Sequence, residues 1–520
     1  MLTKLALLLV FFAVMIAVGV YSRRLARDVN GFVLGGRSVG PWLTAFAYGT
    51  SYFSAVVFVG YAGQFGWKYG LSSSWIGIGN AIIGSLLAWV LLGRRTRVMT
   101  HHLEAKTMPE FFGKRFDSRS LRLAASLIVF IFLIPYTASV YSGLSSLFGM
   151  AFHFDYKWCV IVMAALTAAY VILGGYMATA INDFIQGIVM LGGIVAVIVA
   201  VLNGQGGLFE AIRKLSEIPT DPASTAPGLL GMQGAFTSFF GPDPANLLGV
   251  IVLTSLGTLG LPQMVQKFYA IKSEKAVKTG TVVSTLFAVV VACGCYFLGG
   301  FGRLFDNPAL HTAAGKIRFD AIIPTMLQTL PDALIGIVIV LVLSASMSTL
   351  SSLVLTSSST FTLDFLKFAV DKDMSERRQL FWMRLLIVVF IAVSVAIALN
   401  PPTFIAQLMG ISWGALAGAF LAPFLYGLFM KRATKAACWA SFVFGVGITV
   451  LNMFVPIVGS PINCGAIAMV GGLVIVPIVS WLTPKPDAAR MTQIFSCYDE
   501  KVVVTKQMVL VEDESAPKAE

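Results

Sequence analysis

Apolar runs of about 20 residues alternate with short polar connections along most of the chain. That length suits α-helices crossing a bilayer and not the ten-residue alternating strands of a membrane barrel. The pattern predicts thirteen helices. Leu5 to Tyr21 leads; it lacks a small-residue cleavage motif, so it reads as a retained span and not a signal peptide. Ten core helices are expected near 40–63, 72–93, 121–148, 157–175, 181–202, 246–270, 277–299, 334–362, 383–400 and 404–430. Two trailing helices are expected at 435–457 and 464–482. The polar positions inside these runs are unevenly spread. Within Leu341 to Asp364, eleven of the seventeen residues from Ser344 to Thr360 are Ser or Thr. Ala345, Ser348 and Thr349 stand at i, i+3 and i+4, so a helix sets them on one face. Two hydroxyls and a carbonyl, with no charge among them, suit a monovalent cation that must bind and then leave. Small residues also let membrane helices pack closely, and the spacing alone leaves both readings open.

Core helices one (TAFAYGTSYFSAVVFVGYAGQFG) and six (VIVLTSLGTLGLPQMVQKFYAI) carry glycines and hydroxyls midway, and helix six adds Pro262. Glycine weakens a helix and proline removes a hydrogen bond, so both helices are expected to break. In lipid, freed backbone carbonyls are tolerated where they line a cavity or bind something. The two segments lie five helices apart and therefore run in opposite directions. That is the pattern of an inverted five-plus-five repeat with a binding site at its paired breaks. Asp183, in AINDFIQG near the start of core helix five, is the clearest acid within a span. A buried acid there marks an ion path in many membrane proteins.

Charged residues make up 12% of the 520 residues, against about a quarter in soluble domains. The net charge of +12 is a matter of topology. Of the 37 Lys and Arg, 29 fall on one side of the thirteen-helix pattern, which makes that side, and the C-terminus, cytoplasmic and the N-terminus external. No nucleic-acid partner is implied. Five of the six cysteines (Cys159, Cys293, Cys295, Cys438, Cys464) lie in or beside apolar spans and Cys497 in the tail; His101, His102, His153 and His311 fall in loops. Neither set suggests a disulfide framework or a metal cage. The spans hold no paired catalytic acids or nucleophile–His arrangement, so an enzyme is not expected. The polar tail after Pro484 is short, which argues against a sensor with its own output domain. Two long loops, Asn203 to Ala245 and Gly300 to Pro331, contain the amphipathic patches LFEAIRKLSEI and IRFDAIIPTMLQTL, each expected at the membrane surface or as a short loop helix.

From Leu5 to about Leu482 the chain resembles the sodium/solute symporter family. The carriers of the resemblance are FVLGGRSVGPW, MPEFFGKRF, LGGYMATAINDFIQ, LGLPQMVQKFYAIKS and SASMSTLSS, in that order. The resemblance implies an all-α fold of the leucine-transporter type. Its parts would be a leading helix and linker (1–39), a first repeat (40–202), a second repeat (203–430), two trailing helices (431–483) and a cytoplasmic tail (484–520). It implies a sodium ion as coupling ion between core helices one and eight, held by the carbonyls of Thr50, Phe53 and Ala345 and the hydroxyls of Ser348 and Thr349. Asp183 is then implied on the sodium route. A second sodium near it would fall to Ser346 or Ser352. Where sugar transporters of the family carry Glu and Gln, this chain has Val56 and Val57, which disfavours sugar. Tyr52, Thr254 and Thr258 replace residues of the proline transporters, which weakens proline without excluding it. The run SYFSAVVFVG resembles the pantothenate and monocarboxylate branches. The expected partners are a small carboxylate-bearing solute, sodium and the lipid bilayer of the plasma membrane, with one copy of the chain sufficient. Candidate solute-lining residues are Ser51, Tyr52, Ser54, Tyr136, Thr254 and Thr258.

Overall fold

The computed structural model describes residues 2–152, 155–224 and 230–499; His153 and the tail beyond Asp499 lie outside them. Among the described residues the secondary structure is helical, apart from two isolated bridges. Ten helices are long and apolar enough to cross a membrane, and eleven if a bent pair counts as one span. Two of the ten change course at a glycine. Tyr156–Gly204 (α5) breaks at Gly175, whose φ of 53° and ψ of −148° no ordinary helical residue adopts. Tyr170 and Asp183, either side of that break, both face the same turns of one partner helix: Tyr170 donates to the Met347 carbonyl, and Asp183 lies at the level of Ser352. The chain therefore doubles back at Gly175. The long stretch Val56–His102 likewise turns at Gly70 (φ 61°).

The leading helix, α1 (Leu2–Ser22), is peripheral, with 22% of its apolar window buried. The corresponding share is 78% for Ala333–Val370, which begins with α9 (Asp332–Thr360), and 89% for α10 (Ile405–Phe429); these two are the centre of the bundle. Around them stand α2 (Pro41–Tyr52), α3 (Ala62–Tyr69), α4 (Arg119–Phe152), α5, α6 (Pro244–Gly260), α7 (Pro262–Tyr269) and α8 (Glu274–Gly299). Glycine sets the closest approaches. A Cβ on Gly66 would stand 2.0 Å from the Gly299 carbonyl, so α3 and α8 touch backbone to backbone.

Both expected breaks are present. Helix one ends at Tyr52, passes through Phe53 in an extended conformation (φ −90°, ψ 126°) and resumes as wide turns over Val56–Tyr61 that lead into α3. Ser54 caps the second half by accepting the Val56 N–H through its hydroxyl. Helix six breaks at Leu261 (φ −80°, ψ 127°), where Pro262 has no N–H to continue the ladder, and its halves meet at 42°. The two amphipathic patches part company. Leu208–Ser216 keeps Phe209 86% exposed, as a surface helix would. Ile322–Gln328 instead buries Ile322, Ile323, Met326 and Leu327 in the protein, because the apolar face that periodicity reveals is covered here by neighbouring helices and not by lipid.

Candidate functional site

The break in helix one faces the hydroxyl-rich face of α9. The Thr349 hydroxyl stands 2.9 Å from the Phe53 carbonyl, 3.1 Å from that of Ser51 and 3.1 Å from that of Ala345. One hydroxyl proton can serve one acceptor at a time. Three carbonyls therefore converge on a single donor, and the surplus of lone pairs makes a cradle for a cation. Beside it Ser348 donates to the Thr50 hydroxyl at 2.8 Å, and Thr50 passes its own proton to the Phe46 carbonyl at 2.7 Å. All five sodium residues expected from the sequence, Thr50, Phe53, Ala345, Ser348 and Thr349, are gathered here. One detail differs. The Thr50 carbonyl accepts the Phe53 N–H with one of its two lone pairs, the Thr50 hydroxyl meets Ser348, and the Ser51 carbonyl also faces Thr349.

The expected solute residues divide into two sets. Ser51, Ser54, Thr254 and Thr258 have their hydroxyls engaged: Ser51 with Ser352 at 2.8 Å, Ser54 as a helix cap, Thr254 on the Val250 carbonyl at 2.9 Å and Thr258 on the Gly84 carbonyl at 3.0 Å. Tyr52 and Tyr136 are buried, and their hydroxyls make no hydrogen bond of ordinary geometry, their polar neighbours being Thr254 for Tyr52 and Ser54 and Trp413 for Tyr136. Both rings pack on Trp413, with centroids 5.9 and 5.8 Å away, and the Trp413 indole N–H has the Tyr136 hydroxyl as its polar neighbour. Asn80 accepts from Ser255 at 3.2 Å, and its buried amide N–H₂ has the Tyr296 hydroxyl as a neighbour without an ordinary hydrogen bond. It shares a cavity of about 10 Å³ with Tyr48, Tyr52 and Thr258. Trp413 and Asn80 are absent from the sequence-based set. A Trp in an apolar helix reads as core, and its packing against both Tyr52 and Tyr136 is what sets Trp413 at the broken helix.

Asp183 is fully buried, as expected of an ion-path acid, but it has company that the sequence reading lacks. Lys267 of α7 is counted in the sequence with the basic connections between helices six and seven, whereas the structure buries it to 2% exposure. Its ammonium lies 3.6 Å from the Asp183 carboxylate and donates to the Ser352 hydroxyl at 2.9 Å.

Charged contacts flank the bundle on both faces. On the basic face Arg122 meets Asp364 at 2.7 Å, Thr107 also donates to Asp364, and Arg115 holds the Gly427 and Met430 carbonyls that end α10. These groups anchor MPEFFGKRF, whose helix Met108–Phe116 is capped by Thr107. On the opposite face Arg303 forks onto both oxygens of Asp221 and lies 4.0 Å over the Phe236 ring. Beside it Asp320 accepts the Ile405 N–H at the start of α10 at 3.3 Å; burial pushes this carboxyl up to about 6, against the pull of that N–H. A cleft of about 460 Å³ opens on this face between Gln64, Lys68, Tyr69, Asp243, Asn246 and Asn463.

Residues 32–445 match the model of the sodium:solute symporter family. The chain belongs to this family. The sodium/proline symporter of Staphylococcus aureus (strain JH9) is 30% identical over 503 residues, 93% of this chain and 94% of that protein. The same match is found in strain COL. Among solved structures, a sodium-coupled sialic acid symporter in a substrate-bound, outward-open state superposes with a TM-score of 0.74. It is 20% identical and covers 93% of this chain and 99% of its own. Mhp1, a nucleobase-cation-symport-1 transporter, gives a TM-score of 0.50 at 13% identity, covering 89% and 97%. The fold is that of the leucine-transporter type. The symporter is a multi-pass membrane transporter and not an enzyme, and sodium is its coupling ion.

Proposed function

We propose that this symporter carries a small carboxylate-bearing solute into the cell with sodium by alternating access. Four buried donor groups, the Tyr52 and Tyr136 hydroxyls, the Trp413 indole N–H and the Asn80 amide, gather beside the broken helix, and none is held by a hydrogen bond of ordinary length and angle. A carboxylate is an acceptor-only group, and it fits such donors. That observation carries the reading. The surrounding rings suit a solute with a compact apolar body. Proline, an amino acid with such a body, is a second reading. It is favoured by the relatives named for it at 30% identity, and Val56 and Val57 still speak against a sugar.

In this reading sodium seats among the Thr349 and Ser348 hydroxyls and the carbonyls of Ser51, Phe53 and Ala345, with the Thr50 hydroxyl beside them. Seating it ties α9 to the broken helix and shapes the solute site next to Tyr52. Sodium and solute therefore bind cooperatively, and the coupling is reciprocal. The repeats run over 40–202 and 203–430, flanked by the leading and trailing helices of a thirteen-span chain. Its N-terminus is outside, its C-terminus cytoplasmic, and one copy is sufficient. Asp183 lies on the inward side of the sodium seat.

A thermal-shift screen of the purified protein, with and without sodium, tests the solute class across monocarboxylates, pantothenate, amino acids including proline, and sugars. Stabilisation that needs both sodium and a carboxylate is expected. Stabilisation by a sugar or by an uncharged solute would overturn it.

A further inference from the structure

The Lys267 ammonium is a cation that the fold supplies for itself at the edge of the sodium seat. It sits 2.9 Å from the Ser352 hydroxyl, 3.6 Å from the Asp183 carboxylate and 5.2 Å over the Tyr176 ring. Ser352 stands one helical turn beyond Ser348 on the same face of α9, and its hydroxyl also meets Ser51 of helix one at 2.8 Å. A line of contacts thus runs from Asp183 through Lys267 and Ser352 to the break that Thr349 holds. The Asp183 carboxylate has the Lys267 ammonium and the Ser348 hydroxyl as its polar neighbours, and neither reaches it at ordinary hydrogen-bond geometry. A buried carboxylate without a cation costs several kcal/mol. Lys267 is the cationic group in ion-pair range of it among the described residues.

The oxygen groups around that ammonium would themselves suit sodium: one carboxylate, with the Ser352 and Ser348 hydroxyls a turn apart. The Ser346 hydroxyl, the other candidate for a second sodium in the sequence, instead accepts the Ala55 N–H at 3.1 Å. Two cations cannot share this space. Two like unit charges this close repel strongly in a protein interior. We propose that Lys267 is a tethered cation standing where a second sodium would bind, so that the wild-type chain takes up one sodium and its removal uncovers a second site built on Asp183 and Ser352. This rests on the sodium seat at Thr349 but not on the identity of the solute.

Equilibrium binding of ²²Na⁺ to the full-length protein in lipid nanodiscs tests the proposal. One ion per chain is expected for wild type and for Lys267→Arg. Two are expected for Lys267→Ala, returning to one in Lys267→Ala with Asp183→Asn. Two ions bound to wild type would overturn the proposal, whatever the fate of the variants. So would a single ion in Lys267→Ala that is still stabilised by sodium in a melting assay. If Lys267→Ala fails to fold, the steepness of sodium-dependent uptake by wild type in proteoliposomes decides: a Hill coefficient near 1 supports one ion, and a value near 2 overturns it. Thr349→Ala separates the two readings. Undiminished wild-type-like binding in that variant refutes the seat at Thr349, whereas a missing second ion in Lys267→Ala refutes only the tethered cation.

Discussion

Replacing Thr349 by alanine removes the donor on which three carbonyls converge, at 2.9 to 3.1 Å. Without sodium the hydroxyl contributes one ordinary hydrogen bond, about 1 kcal/mol. With sodium bound it becomes a ligand to a charge, a contact of about 1.5–3 kcal/mol. Both states lose by the substitution, and affinity records the difference, about 0.5–2 kcal/mol. The sodium concentration giving half-maximal uptake should therefore rise about 2- to 30-fold. Thr349→Ser keeps the hydroxyl and should stay within about 2-fold of wild type by the same arithmetic. The assay is initial uptake into proteoliposomes against external sodium at fixed solute, with melting in sodium-free buffer as a control. The control matters because a purely structural Thr349 would lower the melting temperature and leave the sodium dependence where it was. An unchanged half-saturation in a correctly inserted Thr349→Ala protein would refute the assignment.

Trp413→Phe removes an N–H and keeps the ring. The solute KM should rise about 3- to 10-fold, as for one lost hydrogen bond, while sodium half-saturation at saturating solute stays put. A Trp413→Phe protein with wild-type KM would take Trp413 out of the site. Asp320 titrates near 6 in the folded protein, above its ordinary value, so it contributes stability that is complete below the unfolded value of 3.8 and lost as pH rises through about 6. Asp320→Asn keeps an acceptor for the Ile405 N–H and should remove that dependence; the difference in melting temperature between wild type and variant, compared at pH 4.5 and 7, checks it. Gly175→Ala forces an alanine into positive φ and brings its Cβ within 2.8 Å of the Phe32 carbonyl, so it should destabilise the protein by about 1–3 kcal/mol in a denaturation assay. Asp364→Asn removes the nearer of the two carboxylates that hold Arg122, leaving Glu110 at 3.5 Å, and labelling from the basic face of cysteines introduced along α9 should speed up.

Glycine, proline and apolar run length made the helices, both interruptions and the hydroxyl face legible, because each depends on local composition. Thr50, Phe53, Ala345, Ser348 and Thr349 come together where the spacing and the family resemblance place them. What escaped depends on tertiary register. Which atoms of Thr50 and Ser51 point at α9 is set by the path through Phe53, and no local pattern encodes it. Trp413 and Asn80 join the site only through tertiary contacts, with Tyr52 and Tyr136 for the one and Tyr52 and Thr258 for the other. Lys267 counts as a connecting charge until the short α7 is seen to carry it inward to Asp183. The segment Ile322–Gln328 shows the same limit from the other side: periodicity marks an apolar face but not what covers it.

The lysine at the edge of the sodium seat has an energetic corollary for the cell. With its ammonium fixed in the protein, only the sodium and the solute contribute moving charge. A monocarboxylate anion entering with one sodium is electroneutral; the membrane voltage then does no work, and a tenfold sodium gradient, about 1.4 kcal/mol, sustains about a tenfold accumulation. A zwitterion with one sodium carries a net positive charge inward, and 100 mV adds about 2.3 kcal/mol, lifting the ceiling to several hundredfold. The side chain that fixes the ion count therefore leaves the solute's own charge to decide whether uptake is a current or a silent exchange of concentrations.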